Sequence, residues 1–519
     1  MRTRLLVFHY FLLIVSSTLF AQEKFSLTGL LEPDYRQSYL KLENGDIIFI
    51  AKTKGLQGAK EPYYNLERYT PTLKKLWEQT FAISQFENIV KMEFWDEKII
   101  LFSVDHNTDK ATSNLITRKF SVNGVDLGTD TLVRSKIEPW MNYLGKGAVK
   151  QGFVDAICSI QNKGFVTPLE YKYYIETSPH RKKLLIYRYD YSKMGLWTHS
   201  FVYDEKLNLI EHGEVPIDKG FTCYGQTIND RGDLYIYKVN ASGRVALMQY
   251  NIGTEKNIYL EVHTANSSRE NLKIHLVDDD ILYLAKLNKK NGELVGLTYS
   301  RFDFSREVKE YTNFHAFNIE LKREINKKQD EAGLHIEDHW DEYDLVDFEV
   351  DSAENITFFI EKSYIVSEDY RYDETAVENK NLWTPHIGEV FTETLLMFSF
   401  DYNNRLRWDN FVVKKQEMGI VDGINSASFI IDNQLDDRYR IVYATKTSPS
   451  AVLLNQIHYL EIDKQNGKFL KEDLIDNPLK LSLSRPYSFF DEVEDGARFI
   501  FVGKKGLFGK KTFISSLKL

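Results

Sequence analysis

RGDLYIYK (231–238) and, a little further on, LMQYNIGTEKNIYLEV (247–262) state the phrase on which the whole chain is built. The first piece is a polar turn followed by a short run of aromatic and aliphatic residues. The second is a strand that ends in a polar turn, with another strand leaving it. Turn residues followed by such a run read as the second strand of a hairpin. Two hairpins in succession make one four-stranded antiparallel sheet.

The first piece recurs along the chain. It appears as Asn44-Gly45-Asp46 before IIFIA, Asp96-Glu97-Lys98 before IILFS and Asn162-Lys163-Gly164 before FVTPL. Asp278-Asp279-Asp280 precedes ILYLA, Ala353-Glu354-Asn355 precedes ITFFI, Asp436-Asp437-Arg438 precedes YRIVYA and Asp495-Gly496-Ala497 precedes RFIFVG. The second piece recurs at 66–81, 117–130, 200–214, 299–313, 398–411 and 458–472. The units return every ~50–85 residues, the period of propeller blades carrying loop insertions, and eight of them are expected. Residues 151–217 hold more than four strands' worth of material, LLIYRYDY and FVYDEKLNL included, so the bounds of the third unit can be drawn in more than one way and seven or nine units are the neighbouring counts. The rival architecture, two β-sandwich domains, calls for a linker rich in Pro, Gly or Ser, and no such stretch divides the chain.

Composition agrees. Aromatic residues make up 14%, with 31 Tyr and 33 Phe, residues that fit a pleated, half-buried surface. A hydrophobic share of 43% supports a large core, and a formal net charge of −9 argues against a nucleic-acid binder, which needs a basic face.

The rhythm resembles that of the β-propeller superfamily over nearly all of residues 22–519. The Gly-His and Trp-Asp pairs of WD repeats, the double glycine of kelch blades, the Tyr-Trp-Thr-Asp of receptor propellers and the Asp boxes of sialidases are missing, so no named repeat family is assigned. The resemblance implies an all-β fold: a single propeller of about eight four-stranded blades. The last unit has three strands, and Phe25 to Glu32 is a spare strand before the first unit. The expectation is that this N-terminal strand completes the last blade, removing two open edges that invite aggregation. Exported propellers of this kind look more often like binding platforms than enzymes, although fold does not fix function.

The N-terminus reads as a leader. Arg2 and Arg4 form a positive start, Leu5 to Phe20 is almost uninterruptedly apolar, and Ala21 offers a small residue for cleavage. The run falls short of the ~20 residues that span a bilayer comfortably. Residues 1–21 are therefore expected to be a signal peptide, leaving no transmembrane segment and a protein that is periplasmic, outer-membrane-associated or extracellular. Cys158 and Cys223 both sit in apolar runs; two buried thiols are favoured over a disulfide.

Three segments break the rhythm, and loops outside a repeat are where function is grafted. Insertion 134–150 carries Trp140 and Tyr143. Insertion 318–344 opens on NIELKREINKKQDE, an amphipathic pattern that predicts a helix ending at Gly333. Beyond it lie His335, Glu337, His339 and Asp341, candidate ligands for a divalent zinc or calcium ion; the plainer reading is a solvated acidic loop. Insertion 363–390 holds Tyr364, Tyr370, Tyr372, Trp383 and His386 among acids. Such aromatics suit a sugar face, a peptide or a cation; the plainer reading is that they pack the insertion onto its own blade.

Two further motifs yield to simpler readings. Arg231-Gly232-Asp233 matches a cell-adhesion tripeptide but occupies a turn of the repeat. GKKGLFGKKT (503–512) lacks the spacing and the following helix of a phosphate loop, and reads as a basic hairpin tip. No cofactor motif is present. The leading expectation is a binding or scaffolding propeller engaging a protein partner of an envelope complex, or a polysaccharide, through one rim. The alternative is a carbohydrate-active hydrolase or lyase with carboxylates at a central channel.

Overall fold

The computed structural model describes residues 25–31, 38–42, 44–53, 63–84, 87–107, 112–136, 173–192, 195–217, 221–240, 245–262, 272–290, 293–334, 340–367, 388–419, 429–432, 435, 437–445, 456–476, 482–483, 489–493, 496–505 and 511–518. Among these residues the strands form eight antiparallel sheets. Sheets 1 to 7 span 38–82, 87–136, 174–217, 221–262, 272–316, 343–419 and 429–476. Each has four strands, and each strand pairs with the next in sequence. The chain is thus an all-β propeller built from successive four-stranded blades.

Sheet 8 joins the two ends of the described chain. Phe25–Leu31 pairs antiparallel with Lys511–Lys518, Phe25 opposite Leu517 and Leu31 opposite Thr512. Lys511–Lys518 pairs with Gly496–Lys505, whose other edge takes Ser482–Leu483 and Phe489–Val493. The spare N-terminal strand therefore completes the last sheet, as expected. Lys505 lies opposite Lys511, so the basic GKKGLFGKKT stretch spans a hairpin.

The sheets fall into two compact units. One comprises 1–138, 422–464 and 469–519 and holds sheets 1, 2, 7 and 8; the other comprises 139–421 and 465–468 and holds sheets 3 to 6. Within each unit the same physics holds sheets together. The second strand of a sheet is covered on both faces, so Ile47, Ile48, Phe49 and Ile50 are all buried. Alternate residues then serve opposite neighbours: Leu282 and Leu284 enter the apolar cluster between sheets 4 and 5, while Tyr283 and Ala285 enter the one between sheets 5 and 6. Fully burying one such aliphatic or aromatic side chain contributes ~1.5–3 kcal/mol. The fourth strand is an edge; Val308–Ala316 alternates exposed and half-buried positions.

The polar turns share one geometry. Thr70, Ser121, Asp204, Asp351 and Asp401 each accept the amide of the residue three further on. That residue has positive φ: Leu73, Gly124, Leu207, Glu354 and Asn404. After the third strand, a register shift follows at Arg68/Tyr69, Lys119/Phe120, Val202/Tyr203 and Ser399/Phe400. This is a type I turn closed by a left-handed residue and a bulge. The turn's opening side chain holds it: Asp204 Oδ1 accepts from the amides of Lys206 and Asn208, and Asp351 Oδ1 from those of Ala353 and Asn355. Gly124 (φ 82°) is required twice over, because a Cβ there meets the Trp77 ring at 2.9 Å.

One reading of the sequence is corrected and one is borne out. The second strand of sheet 3 is Leu184–Ser192, with Tyr174–Thr177 before it, and FVTPL lies outside the described residues. Arg231-Gly232-Asp233 is a turn: Asn229 Oδ1 accepts all three of its amides, and Gly232 has φ 105°. Its arginine is engaged in an ion pair with Asp280 of the neighbouring sheet.

Candidate functional site

An up-and-down sheet places its first and third turns at one end, and its middle connection and exits at the other. All three insertions leave from this second end of their sheets. Insertion 134–150 continues the last strand of sheet 2, Asp126–Lys136. Insertions 318–344 and 363–390 are the entry to sheet 6 and its middle connection.

Sheet 6 is built differently from the others. Its second, third and fourth strands, Ile356–Ser367, Gly388–Phe400 and Leu406–Gly419, have 12, 13 and 14 residues and are the longest described. Its first strand, Tyr343–Val350, begins opposite Lys362, so the other three run on past it. At that line the pairing slips. Glu361 faces Leu395 but Ser363 faces Thr392, and Thr394 faces Val413 but Thr392 faces Gln416. Lys362, Glu393 and Lys414 stand in the slips, as bulge residues re-aimed out of the regular alternation.

These residues form a buried ionic ladder. Lys362 Nζ lies 2.9 Å from a Glu393 carboxylate oxygen, with both side chains at most 5% exposed. Lys414, fully buried, is paired with Glu361 and donates to Thr392 Oγ1 at 3.1 Å. The Thr392 hydroxyl donates to Gln416 Oε1 at 2.6 Å. Two acids face two lysines, so the buried charge cancels, the condition for ions out of water.

The helix of insertion 318–344 is seated beside this ladder. The helix Ile319–Glu331 starts at Asn318, whose side chain accepts the Leu321 amide at 2.6 Å. It ends with the Gly333 amide on Asp330 and the Leu334 amide on Gln329, Gly333 having φ 65°. Buried Gln329 donates to Thr394 Oγ1 at 2.7 Å, and Lys415 to the Gly333 carbonyl at 3.2 Å. Trp340 stacks on Tyr343 at 5.0 Å, with Lys322 Nζ 4.7 Å above its ring. Burial pushes the Tyr343 phenol well above its ordinary range.

Tyr364 is seated in the ladder: its hydroxyl donates to Glu393 at 2.6 Å and its ring stacks on Phe391 at 5.1 Å. The backbone of Asp341 lies in the 3-10 turn Trp340–Glu342. Trp140, Tyr143, Tyr370, Tyr372, Trp383, His386, His335, Glu337, His339 and Cys158 lie outside the described residues, and of Cys223 only the backbone, in Phe221–Ile228, is described. Among the described residues no group of three or more His, Cys, Asp or Glu side chains is arranged to hold a metal ion, and no helix is long and apolar enough to cross a membrane. Sequence reasoning missed Glu361, Lys362, Glu393 and Lys414. The available signal was charge inside apolar runs, FFIEK at 358–362 and FVVKK at 411–415.

No protein-family model and no curated protein matches the chain. Among solved structures it is similar to prolyl endopeptidases (TM-score 0.40, 9% identity, covering 91% of this chain and 55% of that one), so it spans about half their length. It is also similar to the β-propeller domain of the trilobed protease from Pyrococcus furiosus, described as having an open velcro topology (TM-score 0.37, 9% identity, 87% and 96% covered). A third similar structure is a protein from Lactobacillus plantarum (TM-score 0.34, 12% identity, 84% and 96% covered).

Proposed function

We propose that the chain is an exported binding propeller. It engages a protein partner of an envelope complex, or a polysaccharide, through the end of sheet 6 from which insertions 318–344 and 363–390 emerge. One observation carries this reading: the helix of insertion 318–344 is anchored on sheet 6 through Gln329–Thr394, and the two strands that lead into and out of insertion 363–390 are tied to each other through Tyr364–Glu393. A recognition surface needs loops held by a rigid second layer, and a net-neutral ladder of bulge residues supplies one. Glu361 and Glu393, the buried carboxylates nearest the insertions, are each held by a lysine, which suits a brace and leaves binding as their contribution. The leader-like segment 1–21 supports export.

The test is affinity isolation of the C-terminally tagged chain from native envelopes, beside a variant in which residues 368–387 are replaced by a two-residue Asn-Gly turn. A stoichiometric companion, protein or glycan, that is retained by the parent and lost by the variant supports the reading. Recovery of the chain alone from every envelope fraction, together with carboxylate-dependent hydrolysis of a glycan, contradicts it.

A further inference from the structure

Four described lysines are buried: Lys238, Lys286, Lys362 and Lys414. Lys362 and Lys414 face carboxylates, and Lys238 Nζ lies 4.9 Å from the centre of the Tyr259 ring. Lys286, 1% exposed, is different. Burial lowers its pKa, and among the described residues neither an acid nor a hydrogen-bond acceptor faces its ammonium. Placing an uncompensated ammonium in a core is costly, and such groups are kept where they meet a ligand.

The surroundings say which ligand. Lys286 lies on the strand Ile281–Lys290 of sheet 5, on the same side as Leu282 and Leu284, which pack towards sheet 4. Thr298 is directly opposite it on the next strand, and Asn288 is the next residue along on that side. Both are buried, and Asn288 Nδ2 donates to Thr298 Oγ1 at 2.7 Å. That bond occupies the threonine oxygen as acceptor and leaves its O–H, and the second amide hydrogen of Asn288, to donate. The ammonium, the hydroxyl and the amide thus form a set of donors with one positive charge. The strand ends four residues later, at the sheet end that also bears the insertions of sheet 6.

We propose that Lys286, Asn288 and Thr298 bind a single carboxylate group. A monoanion cancels the one buried charge, whereas a doubly charged phosphate leaves an excess of negative charge out of water. Burial pushes the Lys286 ammonium down to about 8, and a bound carboxylate restores its hold on the proton. The proposal is independent of the partner reading above, because it concerns the seam between sheets 4 and 5.

The experiment titrates the full chain with sodium acetate, and separately with sodium glucuronate, against sodium chloride at constant ionic strength and pH 7, following the melting temperature. The wild type is expected to rise saturably with carboxylate and not with chloride, and Lys286→Met to lose the rise. Half-saturation by glucuronate at a tenfold lower concentration than acetate identifies a sugar acid as the source; equal or better potency of acetate identifies a free acid. No saturable rise in the wild type, or the same rise in Lys286→Met, overturns the site.

Discussion

Replacing Lys414 by methionine tests whether the ladder of sheet 6 is a coupled unit. Lys414 is fully buried and Glu361 5% exposed, so the substitution strands a carboxylate in the core. Removing one partner of a buried pair costs about 3–5 kcal/mol, while replacing both by apolar residues of similar volume is often neutral or better. Glu361→Leu with Lys414→Met is therefore expected to recover most of that loss, giving a coupling of about 2–4 kcal/mol in a double-mutant cycle. The assay is urea unfolding followed by tryptophan fluorescence, with Trp340 and Trp408 buried in this region, combined with amide exchange across 356–363 and 410–416. Exchange is expected to accelerate there in Lys414→Met and to return towards the parental rate in the double variant. A Lys414→Met chain within 0.5 kcal/mol of the parent, or a double variant whose loss is the sum of the two single losses, refutes the coupling.

Other substitutions test separate parts of the account. Gly124→Ala combines positive φ with a Cβ 2.9 Å from the Trp77 ring, and is expected to destabilise by at least ~1–2 kcal/mol; an unchanged urea midpoint contradicts the turn geometry. Asn318→Ala removes the helix cap at a cost of about 1 kcal/mol, and amide exchange should rise first in residues 319–322. His458, stacked on Tyr443 at 4.6 Å, is pushed by burial down to about 4 from 6.5. Its neutral form is the one the fold accepts, so its contribution is complete above pH 6.5 and is lost as pH falls from 6.5 towards 4. The loss reaches at most ~2–3 kcal/mol, and comparing urea midpoints of the parent and His458→Gln at pH 7 and pH 4.5 measures it. Lys286 follows the same sign in a more alkaline window: its folded pKa lies below its unfolded one, so stability should climb between about pH 8 and 10, and Lys286→Met should flatten that climb.

Periodicity made the sheets readable. A run such as IIFIA or ILYLA is apolar at every position because both faces of a second strand are covered, and the polar residues before it close a turn whose geometry repeats from sheet to sheet. FVTPL shows where this reading strains: like the second strand LLIYRYDY it is a short run of aliphatic and aromatic residues after a polar stretch, and that pattern alone does not rank them. The ladder of sheet 6 was hidden for a different reason. Lys362, Glu393 and Lys414 meet only because three strands slip register together, and a slip leaves no mark in the alternation of one strand. Lys286 was equally invisible, since a lysine in a strand normally marks the solvent side, and what sets this one apart is a neighbouring sheet more than twenty residues away in sequence. The positive φ of Leu73 and Leu207 likewise depends on the side chains of Thr70 and Asp204 holding the turn, where glycine is the residue usually sought.

The shared sheet at the two chain ends underlies the whole architecture, and a cross-link tests it directly. Ser26 lies opposite Ser516. Directly opposed strand residues sit about 4.5–5.5 Å apart between Cα atoms, within the range a disulfide spans. In a Cys158→Ser, Cys223→Ser background, Ser26→Cys with Ser516→Cys is expected to oxidise in air to an intramolecular bond, so that two halves cut by protease stay joined until reduced. Ser26→Cys with Thr512→Cys, displaced along the strand by ~15 Å, is expected to stay reduced. Failure of the opposed pair to cross-link, or equal cross-linking of the displaced pair, contradicts the closure.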